Sequence, residues 1–277
     1  MSQTLDEIQR RLKSIHALGE IVSAMRALAA MRNQEAQERI AGTRAYVDNL
    51  RIALTRGSDY LGRLQDYAPR THRRRALLVF CAEFGFAGGF TRRIIESVAA
   101  DPRDILWVVG RRGIYACDEQ KLKVDWSAPM ATQAGAILDT VQHIAGELHR
   151  HYSTEALGSL DVLFARREGL GFAIERRSLL PIELPPRGAR ATYPPVLNQP
   201  AEDLIGPLVE EYLFAEIVHA ATESFYSENT ARLMTMDAAR HNIDEKLEVL
   251  ATDERRVRQE ETTTELLDVM TGVAAAS

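Results

Sequence analysis

LDEIQRRLKSIHALGEIVSAMRALAA, residues Leu5 to Ala30, decides how the rest of the chain is read. Apolar residues recur in it at Leu5, Ile8, Leu12, Ile15, Leu18, Val22, Met25 and Ala29, a mean step just under 3.5 residues. That period marks the seam of a left-handed coiled coil rather than the 3.6 period of an ordinary surface helix. Thr4 and Glu7 stand at capping-box spacing where the pattern starts. The pattern resumes with Ile40, Val47, Leu50 and Leu54. At 1.5 Å per residue, a helix from near Thr4 to near Arg56 runs roughly 80 Å, more than a compact domain of this size buries. Part of it is expected to protrude and to need a mate.

Working outward, proline placement divides the chain into three. All ten prolines lie between Pro69 and Pro207, and after Gly206 only Gly272 remains. Both ends are therefore free to form long helices. Residues 1–68 read as one coiled-coil helix, 69–207 as an inserted domain and 208–277 as the second helix. In the last segment Leu208, Tyr212, Leu213, Ile217, Ala220 and Phe225 begin an apolar stripe that Ile243, Leu247 and Leu250 resume. ATDERRVRQEETTTE (Ala251–Glu265) follows, with Val257 its one large apolar residue. It reads either as a solvated helical face or as a polar surface that meets a partner. The closing LLDVMTGVAAAS turns apolar again, which is unexpected for a free monomer, so this end is expected to enter something.

Strand and helix patterns alternate in the middle. ALLVFCA (76–82), DILWVVG (104–110), KLKVDW (121–126) and LDVLFARR (160–167) read as strands, and LGFAIERRSLLP (170–181) as a further one, antiparallel to its neighbour. Helical stretches separate them, which argues for a mostly parallel, covered sheet. Pro185, Pro186, Pro194, Pro195 and Pro200 mark an irregular connector into the final helix. The architecture is an α/β domain inserted between two long helices.

CAEFGFAGGF (Cys81–Phe90) links the first strand to a helix as phosphate-binding loops do. Yet Glu83 stands where a dinucleotide fingerprint has its first glycine, no lysine follows the glycines, and Glu83 repels a phosphate. The turn reads as structural, with no cofactor implied. His149-x-His151 lacks the paired spacing of a metal site, and there is no G-x-S-x-G elbow or CxxC pair. Cys81 and Cys117 sit in apolar stretches and read as free buried thiols in a reducing compartment. A net charge of −5 argues against nucleic acid as the main ligand. The basic run Thr71–Arg75 has no interleaved aromatics and reads as a solvated lead into a strand. The N-terminus lacks the apolar region of a signal peptide, and no apolar run reaches the roughly 18 residues of a membrane span, so the protein is expected to be soluble or to meet a membrane only through partners.

Several stretches together resemble the gamma-subunit family of F-type ATP synthases. IVSAMRALAAMRN (Ile21–Asn33) is similar to that family's I-T-x-A-M-x-x-V-A-A-x-K, and CAEFGFAGGFTRRI to its S-D-R-G-L-C-G-G-x-N turn. VGRRG (Val109–Gly113) resembles G-[KR]-[KR]-G, and SENTARLMTMDAARHN (Ser227–Asn242) resembles S-E-x-x-A-R-M-x-A-M-x-x-A-x-x-N. RQEETTTELLDVMTG (Arg258–Gly272) resembles R-Q-x-x-I-T-x-E-[IL]-x-[ED]-I-x-x-G. The resemblance covers essentially the whole chain. The chain departs from the pattern at Glu83, Phe84, Ala87, Arg255 and Thr262, and VLNQP (Val196–Pro200) replaces an aromatic–acid–proline stretch.

The resemblance implies an α/β fold with a long antiparallel coiled coil of the N- and C-terminal helices and an inserted Rossmann-like domain. It implies a non-catalytic rotor shaft whose C-terminal tip enters a ring of three alpha and three beta subunits. The inserted domain then sits beside the epsilon subunit and on the c-subunit ring, at the cytoplasmic face of a bacterial inner membrane. Arg258, Gln259, Thr263 and Glu265 are the residues expected to face catalytic-subunit loops, with Met25 and Arg26 at the neck; for Met25 core packing is an equal reading. The competing classes are a nucleotide-dependent α/β enzyme with helical arms and a coiled-coil tether unrelated to rotation.

Overall fold

The computed structural model describes residues 5–61, 74–99, 103–153, 157–169, 171–182 and 200–276. Thr4 of the expected cap, residues 71–73 of the basic run, Pro185, Pro186, Pro194, Pro195 and residues 196–199 lie outside them. Helix α1 (Leu5–Leu61) is continuous over 57 residues and α5 (Ala201–Ala276) over 76. Pro207 lies inside α5, in its second turn, where the missing N–H removes one intrahelical bond close to the helix start. Between them come β1 (Arg74–Phe80), α2 (Phe90–Ala99), β2 (Ile105–Val109), α3 (Arg111–Glu119), β3 (Trp126–Ala128), α4 (Ile137–Ser153), β4 (Leu157–Glu168) and β5 (Gly171–Leu180). The expected strand over 121–126 is a correction: only Trp126 of it lies in β3, and Asp125 instead accepts the Leu106 N–H with its carboxylate at 2.9 Å. The chain divides into two compact units, residues 29–232 and residues 1–28 with 233–277.

The larger unit holds the sheet, in strand order β3-β2-β1-β4-β5. Pairs β1–β2, β1–β4 and β2–β3 are parallel, and β4–β5 is antiparallel. Strand β2 is buried along its whole length, as a parallel strand covered on both faces must be. Alternate side chains divide between the two faces. Leu78, Phe80, Trp107 and Val109 pack with Val47 and Leu54 of α1 and Leu213 and Ile217 of α5. Leu77, Val79, Leu106 and Val108 pack with Phe90, Ile94 and Val98 of α2 and with Cys117 of α3.

From Tyr212 to Asn229, α5 is buried on nearly every side, Phe214 and Val218 being half-buried. The expected apolar stripe is therefore only part of what this segment buries. Its polar residues are paired: Glu216 receives Arg51 at 2.9 Å, Arg177 at 2.7 Å and the Tyr212 hydroxyl at 2.7 Å. Buried carboxylates survive only with such partners.

The smaller unit is two helical segments running antiparallel. Gln9 donates to Glu254 at 3.1 Å, Arg240 to Ser23 Oγ at 3.1 Å, and Arg26 pairs with Asp237, so numbers rise along α1 as they fall along α5. On α1 the inward positions are Leu5, Ile8, Leu12, Ile15, Gly19, Val22 and Met25; on α5 they include Met236, Ile243, Leu247, Leu250 and Val257. Leu18, read as a seam residue, is 53% exposed, and Gly19 takes its place. A Cβ at Gly19 would stand 3.3 Å from Arg240 Nη1 and 3.4 Å from Ile243 Cγ2, so α5 side chains already fill that space. Among the described residues no helix is long and apolar enough to cross a membrane.

Candidate functional site

The chain leaves β1 at Phe80 and reaches α2 at Phe90 through the glycine turn. Glu83, 5% exposed, begins that turn. Its Oε2 accepts the backbone N–H of Arg111 at 3.1 Å and of Met130 at 2.9 Å, and its Oε1 lies 3.2 Å from Arg111 Nε. Arg111 opens α3, so the anion at this helix N-terminus is the chain's own carboxylate. One side chain thus ties the ends of β1, β2 and β3 together. Gly110 makes this approach possible: its φ is 104°, and a Cβ there would stand 2.3 Å from Cys81 O.

The other side of the turn is held from α5. Arg232, buried, donates to the carbonyl oxygens of Phe84 at 3.2 Å and Gly85 at 3.4 Å, and pairs with the buried Glu228 one helical turn before it. Burial pushes the Glu228 carboxyl up, against the pull of Arg232. Sequence reasoning missed this brace; the signal available was the i, i+4 spacing of Glu228 and Arg232 within SENTAR. Phe86 adopts φ 63° at the apex. The two thiols are chemically quiet: burial raises Cys117 to about 11 and Cys81 well above its ordinary value.

The second surface is the end of α5. Every described side chain after Val257 is exposed, through residues 258–267 and 269–271. Arg258 pairs with Glu254 at 2.8 Å, and the Thr263 hydroxyl donates to the Gln259 carbonyl at 2.8 Å, so their partners are within the helix. Gln259 and Glu265 are exposed. Leu266, Leu267, Val269 and Met270 are 57–69% exposed, an apolar stretch without cover among the described residues. Arg258, Gln259, Thr263 and Glu265 therefore share one short helical segment. Met25 and Arg26 do not join them. Met25 is half-buried in the seam, and exposed Arg26 meets Asp237, which α5 places about 30 Å before Arg258. Among the described residues no group of His, Cys, Asp and Glu could hold a metal ion.

A family model described as ATP synthase matches residues 4–276. The ATP synthase gamma chain of Geotalea daltonii is 28% identical over 293 residues, covering 97% of this chain and 97% of that one. That of an Anaeromyxobacter species is 27% identical over 292 residues, covering 98% and 99%. Among solved structures, a chain of the Euglena gracilis mitochondrial ATP synthase (OSCP/F1/c-ring, rotational state 3) superposes with a TM-score of 0.67 at 14% identity, covering 98% of this chain and 94% of that chain. A chain of the Euglena rotor in rotational state 1 superposes with a TM-score of 0.61 at 13% identity, covering 93% and 98%. The fold is the same in each.

Proposed function

The chain belongs to the ATP synthase family, and from that premise we propose that it is the gamma subunit, the central shaft of an F-type ATP synthase. One observation carries the reading: similarity to proteins named gamma chain runs from end to end, over both long helices and the inserted sheet alike. The partners are three alpha and three beta subunits at the head, the epsilon subunit and the c-subunit ring. Neither nucleic acid nor the lipid itself is a partner, and the shaft is peripheral at the cytoplasmic face of a bacterial inner membrane. The bacterial sources of its relatives and the −5 net charge support that placement.

The subunit is non-catalytic in this reading. Glu83 occupies the helix N-terminus that a phosphate would use, and this supports a mechanical rather than a nucleotide-binding role for the sheet. A shaft of one polypeptide has no threefold symmetry, so three chemically identical catalytic sites around it meet three different faces. Each face favours a different conformation of its site, by the differential contact it makes. Turning the shaft passes those contacts from site to site, and the linkage is reciprocal: nucleotide affinity biases rotation as rotation biases affinity. Arg258, Gln259, Thr263 and Glu265 are the contact residues proposed for the head, with Met25 and Arg26 at the neck. The side-chain exposure of the first four supports this.

The test is co-purification from gently solubilised native membranes, then coupling. The tagged chain is expected with three alpha and three beta subunits per copy; elution alone, with bound nucleotide, overturns the reading. Gln259→Ala combined with Thr263→Ala is expected to leave assembly intact and to lower ATP-driven ion pumping several-fold relative to hydrolysis. Full pumping by that variant rejects the assignment of these two residues.

A further inference from the structure

Arg44 and Arg51 of α1, Arg166 of β4 and Arg177 of β5 line one recess of about 340 Å³ in the larger unit. They fall into two pairs, each joining the helix to the sheet. Arg51 and Arg177 both bond Glu216, at 2.9 and 2.7 Å. Arg44 pairs with Glu223 at 3.2 Å, and the charge of Arg166 reaches that same carboxyl. Arg44 and Arg51 are seven residues apart, two turns or about 10 Å along α1. Carboxylates do not cancel this charge at the wall. Glu216 and Glu223 have side chains 1% and 4% exposed and stand outside the lining, which sets the four cations against Asp48 and Glu175. His219, also in the lining, registers the imbalance: burial, then Arg177 and Arg44, lower its pKa to about 4 against Glu216 and Glu175. Arg51 adds an unmet donor, for its Nε is buried and has no hydrogen-bond partner among the described residues. Buried donors are satisfied in nearly all native structures, so this one calls for an acceptor that the chain does not supply.

We propose that this recess is a binding site for free inorganic diphosphate, with one phosphoryl group at each arginine pair. A guanidinium has five N–H donors in a planar fork that suits phosphate oxygens. Arg44 spends Nη2 and Arg166 spends Nε on their carboxylates, and the other nitrogens serve the anion. A single orthophosphate reaches one pair, whereas two linked phosphoryl groups reach both. The buried His219 ring is the one aromatic group of the lining among the described residues, so nothing there stacks a nucleoside base. Bound diphosphate ties α1 to β4 and β5. The site shares no residue with the glycine turn or the exposed end of α5, and it does not depend on the shaft reading.

The test is isothermal titration of the purified full chain with sodium diphosphate, in metal-free buffer near pH 7 at fixed ionic strength. One diphosphate is expected per chain, with orthophosphate weaker by at least about tenfold, the loss of one bidentate contact. Equal affinity for the two anions, or no saturable binding of diphosphate up to about 10 mM, overturns the proposal. ADP is expected to bind no tighter than diphosphate; a tighter ADP complex would mean that the site is built for a nucleotide, and overturns it. Vesicles of phosphatidylglycerol and phosphatidylcholine separate a lipid headgroup from a soluble anion, and binding to vesicles without binding to diphosphate overturns it too. Arg166→Gln is expected to weaken diphosphate by at least about tenfold. Arg176→Gln, on the opposite face of β5 and paired with Asp161, is expected to leave it unchanged. Asp48→Asn removes a carboxylate from the wall and is expected to tighten binding by about threefold, a gain that a damaged fold cannot mimic. Unchanged affinity in both Arg166→Gln and Asp48→Asn places the anion elsewhere and rejects the site.

Discussion

His219 lies on the buried stretch of α5, and burial lowers its pKa to about 4, with Arg177 of β5 and Arg44 of α1 acting in the same direction against Glu216 and Glu175. The Thr43 hydroxyl donates to the Ile40 carbonyl at 3.0 Å, so His219 Nδ1, 3.0 Å away, is the donor to Thr43, and with its pKa at about 4 the ring is neutral near pH 7. Because the folded value lies below the ordinary 6.5, the unfolded chain takes up this proton first. Stability is complete above pH 6.5 and is lost as pH falls from there to about 4, by about 3 kcal/mol if the whole shift is expressed. Burial also pushes the neighbouring Glu223 carboxyl up, and its protonation opposes the loss in part. Burial acts on Glu216 too, but hydrogen bonds from Tyr212 and Arg177 and the charges of Arg177 and Arg51 hold it below the usual carboxylate range, so its contribution disappears at lower pH. Urea unfolding as a function of pH checks this. His219→Gln keeps a donor for Thr43 and should flatten the slope between pH 6.5 and 4; identical slopes exclude the histidine as its source. At the brace under the glycine turn, Arg232→Met leaves Glu228 buried without its cation and is expected to lower stability by about 3–5 kcal/mol. Adding Glu228→Gln should recover at least about 1 kcal/mol of that in thermal denaturation, since the neutral pair has no uncompensated charge. Strictly additive losses would show the two residues to be uncoupled.

The elements were legible wherever periodicity was unambiguous. A 3.5-residue step announced α1, proline and glycine punctuation announced the inserted sheet, and the run 170–181 read as the further antiparallel strand that is β5. Leu18 and Gly19 show the limit of such reading. Steps of three then four through Leu18, and of four then three through Gly19, have the same mean, and a hydrophobic count always prefers leucine. What decides between them is the partner helix, which places Arg240 and Ile243 over the glycine. Gly19→Ala is expected to shift helical melting by less than about 0.5 kcal/mol, since gained helix propensity offsets a displaced Arg240 side chain. Gly19→Leu should lower stability by about 1–3 kcal/mol through overpacking; a stabilised leucine variant would mean that the two helices do not meet there. The site was less legible than the fold. Glu83 could be read as a residue that repels phosphate, but its two backbone partners, Arg111 and Met130, come from distant turns that only the folded sheet brings together. The polar residues between Tyr212 and Asn229 look like a solvated face for the same reason: their counter-ions Arg51, Arg44 and Arg177 belong to other elements.

Across the whole molecule, burial is distributed very unevenly along one helix. Residues 258–267 and 269–271 of α5 are exposed, while the stretch from Tyr212 to Asn229 is enclosed almost completely. Deleting residues 258–277 is therefore expected to leave the unfolding midpoint of the purified chain within about 2 °C of the parent. Circular dichroism should lose only the signal of the missing turns; a large drop in midpoint would show that this end contributes to the fold beyond the contacts of the described residues. The enclosed stretch has a mechanical meaning as well. In the larger unit α5 is gripped by the sheet and by α1, so it resists being wound about its own axis. In the smaller unit a single seam joins two helical segments, and a slender pair of rods yields to torque far more readily than a rod set in a block. Within the smaller unit alone, two helices held along one seam can share a twist between them, each turning slightly against the other, as a rope of two strands does.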